Sequence, residues 1–241
     1  MCKKLFVVAD IHGHYTILRQ ALDELGFDEN NENHVFISCG DLFDRGNENL
    51  SVYKFVKGLK HKVLIRGNHE DMLYSALESG NLTSTDNDNG TKLTVSELLG
   101  EDAVNPDGSF DTALHAEKIS EIKAFIDSMQ NHLEVGNYVF THGWLPVLFE
   151  GYYPKIPENW RDASKEDWEL AHIFEWQQFY SVKAVLEGKT IVCGHRPSYL
   201  AHVFDSSREP DCTAPFYGDG IIAIDAGTYK SGRMNVIVIE L

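Results

Sequence analysis

Positive charge, cysteine and long apolar runs are the scarce elements of this chain. Its 241 residues include 21 Lys or Arg against 37 Asp or Glu, a formal charge of −16. Such a deficit argues against a nucleic-acid partner, because neutralising a phosphate backbone takes clustered cations. It also denies long-range steering to any anionic substrate, which would need cations held locally. Of the four cysteines, Cys39 and Cys193 each end an apolar run beside a glycine, a setting for buried thiols and not for a disulfide framework. No apolar stretch in the sequence approaches the ~18–20 residues that a membrane span requires, so no membrane partner is expected. Asp10 is the tenth residue, which leaves too little chain before it for a removable leader, and the expected compartment is the cytoplasm. No internal repeat is visible.

What is present reads as one globular domain over residues 1–241, with 43% hydrophobic and 24% charged residues, below the ~250–300 residues at which single cores stop growing. Leu5–Ala9, His34–Ser38 and Lys62–Ile65 are short runs rich in Val, Ile and Phe, suited to buried strands. Between them, Tyr15–Leu25 and Leu50–Leu59 repeat apolar residues at helical spacing, the first stopping at Gly26. This β-α-β-α-β opening favours parallel pairing with helices outside. Tyr138–Thr141, Thr190–Cys193, Ile221–Asp225 and Met234–Glu240 read as further strands with less helix between them, so a second sheet is expected. Residues 79–132 read as a helical and loop insertion able to cover the active site. It begins with a polar, turn-rich loop at Ser79–Lys92 and continues with helices at Val95–Leu99 and Ala116–Met129.

Five motifs follow apolar runs: Asp10-Ile-His12-Gly13, Gly40-Asp41-Leu-Phe-Asp44-Arg45-Gly46, Arg66-Gly67-Asn68-His69-Glu70, Thr141-His142-Gly143 and Cys193-Gly194-His195. Each alone could be a polar turn. Asp10 and His12, two apart at a strand end, can point the same way and grip one metal. Asp41 can bridge two ions ~3.5–4 Å apart, the spacing of two-metal phosphoryl-transfer sites. Asn68, His142 and His195 complete a second ion. This imidazole, carboxylate and amide set suits manganese, iron or zinc better than calcium or a thiolate-bound metal.

With these residues in place, the chain resembles the phosphoprotein phosphatases of the calcineurin-like metallophosphoesterase superfamily, from Lys4 to about Asp225. The resemblance implies an α/β fold, a two-sheet β-sandwich flanked by helices. It implies two divalent ions, manganese first with iron or zinc as alternatives, held by Asp10, His12, Asp41, Asn68, His142 and His195. It assigns His69 and Asp44 as the catalytic pair and Arg45 as the phosphate-holding arginine, with Asn68 also facing the phosphate. The chemistry is consistent: a water activated by two metals attacks phosphorus in line. Arg45 forks around two phosphate oxygens, and His69, oriented by Asp44, donates to the leaving oxygen. Asn68 and His69 are expected on a loop, where neighbouring side chains diverge. A second phosphate-binding arginine is expected, with Arg161 and Arg196 as candidates.

The activity so implied is a metal-dependent phosphomonoesterase acting on a phosphorylated protein or peptide, a Ser/Thr protein phosphatase. Glu70 after the catalytic histidine favours that branch, where tetraphosphatases usually carry Asp. The alternatives are a symmetrical dinucleoside tetraphosphatase, a broad phosphatase or phosphodiesterase of small phosphoesters, and an inactive metal-binding scaffold. Trp144, where the family usually has a second glycine, either narrows the site or packs in the core. The aromatics Tyr152, Tyr153, Trp160, Trp168, Trp176, Phe179 and Tyr180 read as helix packing before groove lining. Asp225 reads as structural.

Overall fold

A computed structural model describes residues 3–151 and 153–241 of the chain, so Cys2 and Tyr152 lie outside it. Strand β1 (Lys4–Val8) leads into α1 (Tyr15–Glu24), β2 (His34–Cys39), α2 (Asn49–Gly58) and β3 (Lys62–Ile65). The next stretch is helical: α3 (Asn68–Ser79), α4 (Ser84–Asn89), α5 (Thr91–Leu99) and α6 (Ala116–Asp127). A hairpin of β4 (Leu133–Val135) and β5 (Tyr138–Phe140) opens the second half, followed by the small hairpin of β6 (Leu148–Glu150) and β7 (Tyr153–Lys155). Then come α7 (Lys165–His172), α8 (Trp176–Ser181), β8 (Thr190–Cys193), β9 (Phe216–Gly218), β10 (Ile221–Ala223), α9 (Thr228–Ser231) and β11 (Val236–Glu240).

These strands form two main sheets, ordered β11-β1-β2-β3 and β4-β5-β8-β10-β9. Within the first, β1, β2 and β3 are parallel, with Leu5 opposite Val35 and Ile37 opposite Val63, while β11 adds antiparallel at the edge. In the second, β5, β8 and β10 are parallel. The period-2 alternation of side chains explains the layering. From β1, Phe6 and Val8 face the helices with Leu18, Leu22, Val52 and Val56, whereas Leu5 and Val7 face Phe140, Val192 and Ile222 of the other sheet. Val139, Ile191 and Ile221 then point away from the sheet interface, into a third cluster with Trp144, Trp168 and Trp176. The order is helices, sheet, sheet, helices, the expected two-sheet sandwich.

Trp160, Trp168, Trp176 and Phe179 are buried in that outer cluster, which bears out helix packing for them; Tyr153 is exposed on β7. Cys39, Cys193 and Cys212 are free thiols. Among the described residues, no helix is long and apolar enough to cross a membrane. One expectation fails locally. The polar stretch after Ser79 is not simply a solvated loop, because Ser84–Asn89 is helical. Its start is fixed by a capping box in which the Thr83 hydroxyl accepts from the Asp86 amide at 3.2 Å and the Asp86 carboxylate accepts from the Thr83 amide at 2.7 Å. Such caps contribute about 1 kcal/mol, enough to decide a helix whose apolar pattern is silent.

Candidate active site

All five motifs lie just beyond the C-terminal ends of parallel strands, the edge where open α/β sheets present ligands. Asp10 and His12 follow β1, Asp41 to Arg45 follow β2, Asn68 and His69 follow β3, His142 follows β5 and His195 follows β8. The loops after β1 and β2 are zipped together by backbone bonds, His12 N to Asp41 O (3.0 Å), Gly13 N to Leu42 O (2.9 Å) and Gly46 N to His12 O (2.9 Å). Asp10, His12, Asp41, Asp44, Arg45 and His195 all have φ between +47° and +73°. Non-glycine residues adopt this left-handed region at a cost, and such strain persists where surrounding structure enforces it. Close glycines make the room: a Cβ at Gly194 would strike the Asp10 carboxylate, and one at Gly67 would strike that of Asp41.

Two groups of potential ligands share one carboxylate. Asp41 with His12 and His69 forms one, Asp41 with His142 and His195 the other, and within each group the donor atoms lie within 4.8 Å of one another. Oδ2 of Asp41 is 3.7 Å from His12 Nε2 and 3.9 Å from His69 Nε2, while Oδ1 is 3.3 Å from His142 Nε2. Asp41 thus faces both groups, one oxygen to each. Asp10 Oδ1 lies 3.9 Å from His12 Nε2, and its oxygens also accept from the His195 amide at 3.1 and 2.9 Å. Asn68 Oδ1 is 3.0 Å from His142 Nε2. His12 Nδ1 is bonded to Phe43 O at 2.9 Å and His142 Nδ1 to Cys39 O at 2.8 Å, which turns each Nε2 toward the carboxylates in the way that oriented ligand histidines require.

The electrostatics fit cations. Burial and the neighbouring Asp225 hold the Asp10 carboxyl well above its ordinary range. Burial likewise pushes Asp225 up to about 6 and, with Asp41 beside it, Glu70 up to about 7. Burial opposes charge on Asp41 too, but His142 and His69 outweigh it and hold that group well below its ordinary value. His142 is the counterpart: burial disfavours its charged form, yet the adjoining Asp41 pushes it up to about 10. Burial together with His142 lowers His195 to about 3, and burial with His69 lowers His12, leaving both as the neutral imidazoles that ligate metals. Converging buried carboxylates among neutral imidazoles form a donor set suited to divalent cations.

His69, a member of the first group, is also paired with a buried carboxylate outside it. His69 Nδ1 is 2.7 Å from Asp44 Oδ2. Burial works against a charged His69 ring, but Asp41 and the Asp44 bond raise it above the ordinary histidine value. Arg45 reaches both rings, with its guanidinium nitrogens 3.0 Å from His12 Nε2 and 3.2 Å from His69 Nε2. Its Cζ sits 4.5 Å from the ring centre of Tyr229, on α9. Asp44 is buried and Arg45 exposed, so of two adjacent residues one holds the His69 ring from beneath and the other meets solvent.

The chain matches the family of calcineurin-like phosphoesterases over residues 3–223. It belongs to that family. It is a hydrolase of phosphoester bonds by membership, and its curated relatives carry different specificities. Bis(5'-nucleosyl)-tetraphosphatase PrpE [asymmetrical] of Bacillus subtilis is 26% identical over 79% of this chain and 78% of that protein. Serine/threonine-protein phosphatase 2 of Escherichia coli is 37% identical over 32% of this chain and 34% of that protein. The fold is shared with the cold-active protein-tyrosine phosphatase of a psychrophilic Shewanella, with TM-score 0.55 and 14% identity over 98% of this chain and 75% of that one.

Several details differ from the sequence expectations. Asp10 and His12 do not share a face by strand alternation, since β1 ends at Val8 and both residues occupy left-handed turns. Asn68 and His69 are the first two residues of α3 and not on a loop; they diverge because successive helical residues point ~100° apart. The His69 amide at that helix start also donates to Asp41 Oδ1 at 3.1 Å. Arg161 is exposed, pairs with Glu134 and covers Trp160, and its described contacts include none of the site residues. Arg196 faces Glu175 at 3.4 Å. Trp144 is fully buried and stacked 5.7 Å from Phe179, which makes it core and not a wall of the site. Glu70 lies below the site, accepting from the Asp41, Leu42 and Gly67 amides at 2.8–2.9 Å. Asn49, Thr91, Thr94 and Tyr229 were not singled out by sequence; they border Asp44 and Arg45 without a motif to mark them.

Proposed function

We propose that the chain is a two-metal phosphomonoesterase of phosphoserine or phosphothreonine in proteins or peptides. The observation that carries the chemistry is the placement of His69, bonded to Asp44 at 2.7 Å through Nδ1 while Nε2 lies 3.2 Å from the Arg45 guanidinium. Asp10, His12, Asp41, Asn68, His142 and His195 would hold two divalent ions, manganese by preference. Such ions, when bound, supply the charge that activates water and offsets the phosphate.

The chain's own residues supply the rest. Arg45 grips two phosphate oxygens with its planar fork and turns the scissile bond toward His69. As the water oxygen bonds to phosphorus, the bond from phosphorus to the leaving oxygen breaks. That oxygen takes the Nε2 proton of His69, and the proton of the attacking water passes to solvent. Asp44 keeps the Nδ1 side of the ring occupied, so Nε2 is the nitrogen presented. A phosphopeptide suits the −16 chain better than a tetraphosphate, whose several charges would need several cations along its path.

A second reading, hydrolysis of dinucleoside polyphosphates, is favoured by the extent of similarity to the Bacillus subtilis tetraphosphatase. Tyr229, 41% exposed beside Arg45, offers an aromatic surface on which a base could stack. The test is turnover by manganese-loaded protein of a phosphothreonine peptide, read as phosphate release, and of diadenosine tetraphosphate, read as nucleotide products separated by chromatography, with His69→Asn alongside. The first reading expects the peptide to be preferred by at least tenfold in kcat/KM and the variant to lose ~10²–10⁴. Preference for the dinucleotide would overturn the substrate and retain the chemistry.

A further inference from the structure

The stretch between β3 and β4 reaches the His69–Asp44 pair through α5. Asp44 is fully buried, and its carboxylate is engaged by three groups. Oδ2 meets His69 Nδ1 at 2.7 Å and accepts from the Thr91 hydroxyl at 2.9 Å; Oδ1 accepts from the Thr94 hydroxyl at 2.6 Å. The same Thr94 oxygen accepts from the Asp44 amide at 3.2 Å, which uses its donor and an acceptor on one residue. Both threonines are fully buried and stand three apart on α5, so they share a face.

Their approach is built into the preceding turn. The Arg45 amide donates to Asn89 O at 3.0 Å, and Gly90, with φ +86°, lies so near that a Cβ there would be 3.0 Å from the Arg45 nitrogen. Residues 89–94 therefore close on the Asp44–Arg45 turn through backbone and side chains together. Threonines that only filled space would not need to place both hydroxyls on one carboxylate.

We infer that Thr91 and Thr94 are positioning residues for the acid–base step, clamping the Asp44 carboxylate so that His69 presents Nε2 to the leaving oxygen. The inference rests on the acid role of His69 proposed above. A carboxylate bonded at one oxygen alone swings about its Cβ–Cγ bond and takes the imidazole with it; hydroxyls on both oxygens fix its plane. Small displacements of a reacting group cost large factors in rate.

The test compares leaving groups in the manganese-loaded protein. An alkyl ester such as phosphoserine needs its leaving oxygen protonated, whereas p-nitrophenolate departs without help. Thr91→Val and Thr94→Val keep volume and remove the hydroxyl. Each is expected to lower kcat on the alkyl ester about tenfold, a fraction of the ~10²–10⁴ that acid–base catalysis typically contributes, with KM within about twofold and a much smaller loss on p-nitrophenyl phosphate. Thr91→Ser and Thr94→Ser, which keep the hydroxyl and lose the methyl, should restore the alkyl rate. Equal losses on both esters, or Ser variants as slow as Val, would overturn the clamp. If His69→Asn shows the leaving-group bias and the Val variants do not, the clamp alone fails; if His69→Asn lacks the bias, the acid assignment fails first. Should Thr94→Val not fold, Thr91→Val decides, since Thr94 retains the bond to the Asp44 amide.

Discussion

The two sheets contribute unequally to the site. The crest of the first, after β1, β2 and β3, supplies Asp10, His12, Asp41, Asp44, Arg45, Asn68 and His69; the crest of the second supplies His142 and His195. Five of the strained left-handed residues stand on the first crest and one on the second. Backbone bonds zip the first-crest loops to one another, whereas His142 is tied across the interface through its ring to Cys39 O. The His69–Asp44 pair and Arg45 thus ride on one layer, and the other layer completes the second group of potential ligands. Within the proposed mechanism, damage to the first crest should remove chemistry, and damage to the second should weaken metal binding in a way that added metal can offset.

The largest effect tests that asymmetry directly. Asp41→Asn is expected to abolish turnover and to reduce bound metal, measured by elemental analysis, because one oxygen of Asp41 faces each ligand group; raising manganese should not rescue it. His195→Ala, on the second crest, should regain activity at high manganese. Equal rescue of both variants would break the distinction.

A smaller and graded effect comes from His142. Its ring, pushed up to about 10 by Asp41 against the cost of burial, is charged at pH 7 and must lose a proton before Nε2 can ligate. Metal affinity should therefore rise about tenfold per pH unit from pH 7 toward 9 and level off above about 10, with proton release visible by calorimetry in buffers of different ionisation enthalpy. An affinity independent of pH would show that the metal-free site does not hold His142 protonated.

The smallest effect is expected away from both crests. Arg161→Ala should leave kcat, KM and inhibition by phosphate unchanged and cost about 0–1 kcal/mol in stability, as for exposed ion pairs, since Arg161 is 45% exposed and paired with Glu134. A rise in KM would restore it to the phosphate site.

Much of this was legible in the chain. Runs of Val, Ile and Phe marked β1, β2, β3, β5 and β8, because buried parallel strands are continuously apolar. Short strands such as β4, β6 and β9 left no such signal, being too brief for periodicity to register. The helix Ser84–Asn89 was hidden because its stability lies in caps and not in an apolar face. Site residues within compact motifs were identifiable from spacing. Arg161 had no motif to fix its position, and the Asp41 and Leu42 amides that Glu70 accepts from lie 29 and 28 positions away, beyond what its neighbours in sequence reveal.

The sequence by itself determined the donor types, their order and the two-sheet architecture, since strand composition and local motifs are properties of short segments. Tertiary structure alone decided that Asp41 divides its oxygens between two groups, that Glu70 serves the Asp41 and Leu42 amides, and that Thr91 and Thr94 close on Asp44. Those relations join residues 28 to 101 positions apart, or 47 and 50 in the case of the threonines. Local preference carries no information about them; the packing of helices and sheets around one buried cluster of charge supplies it.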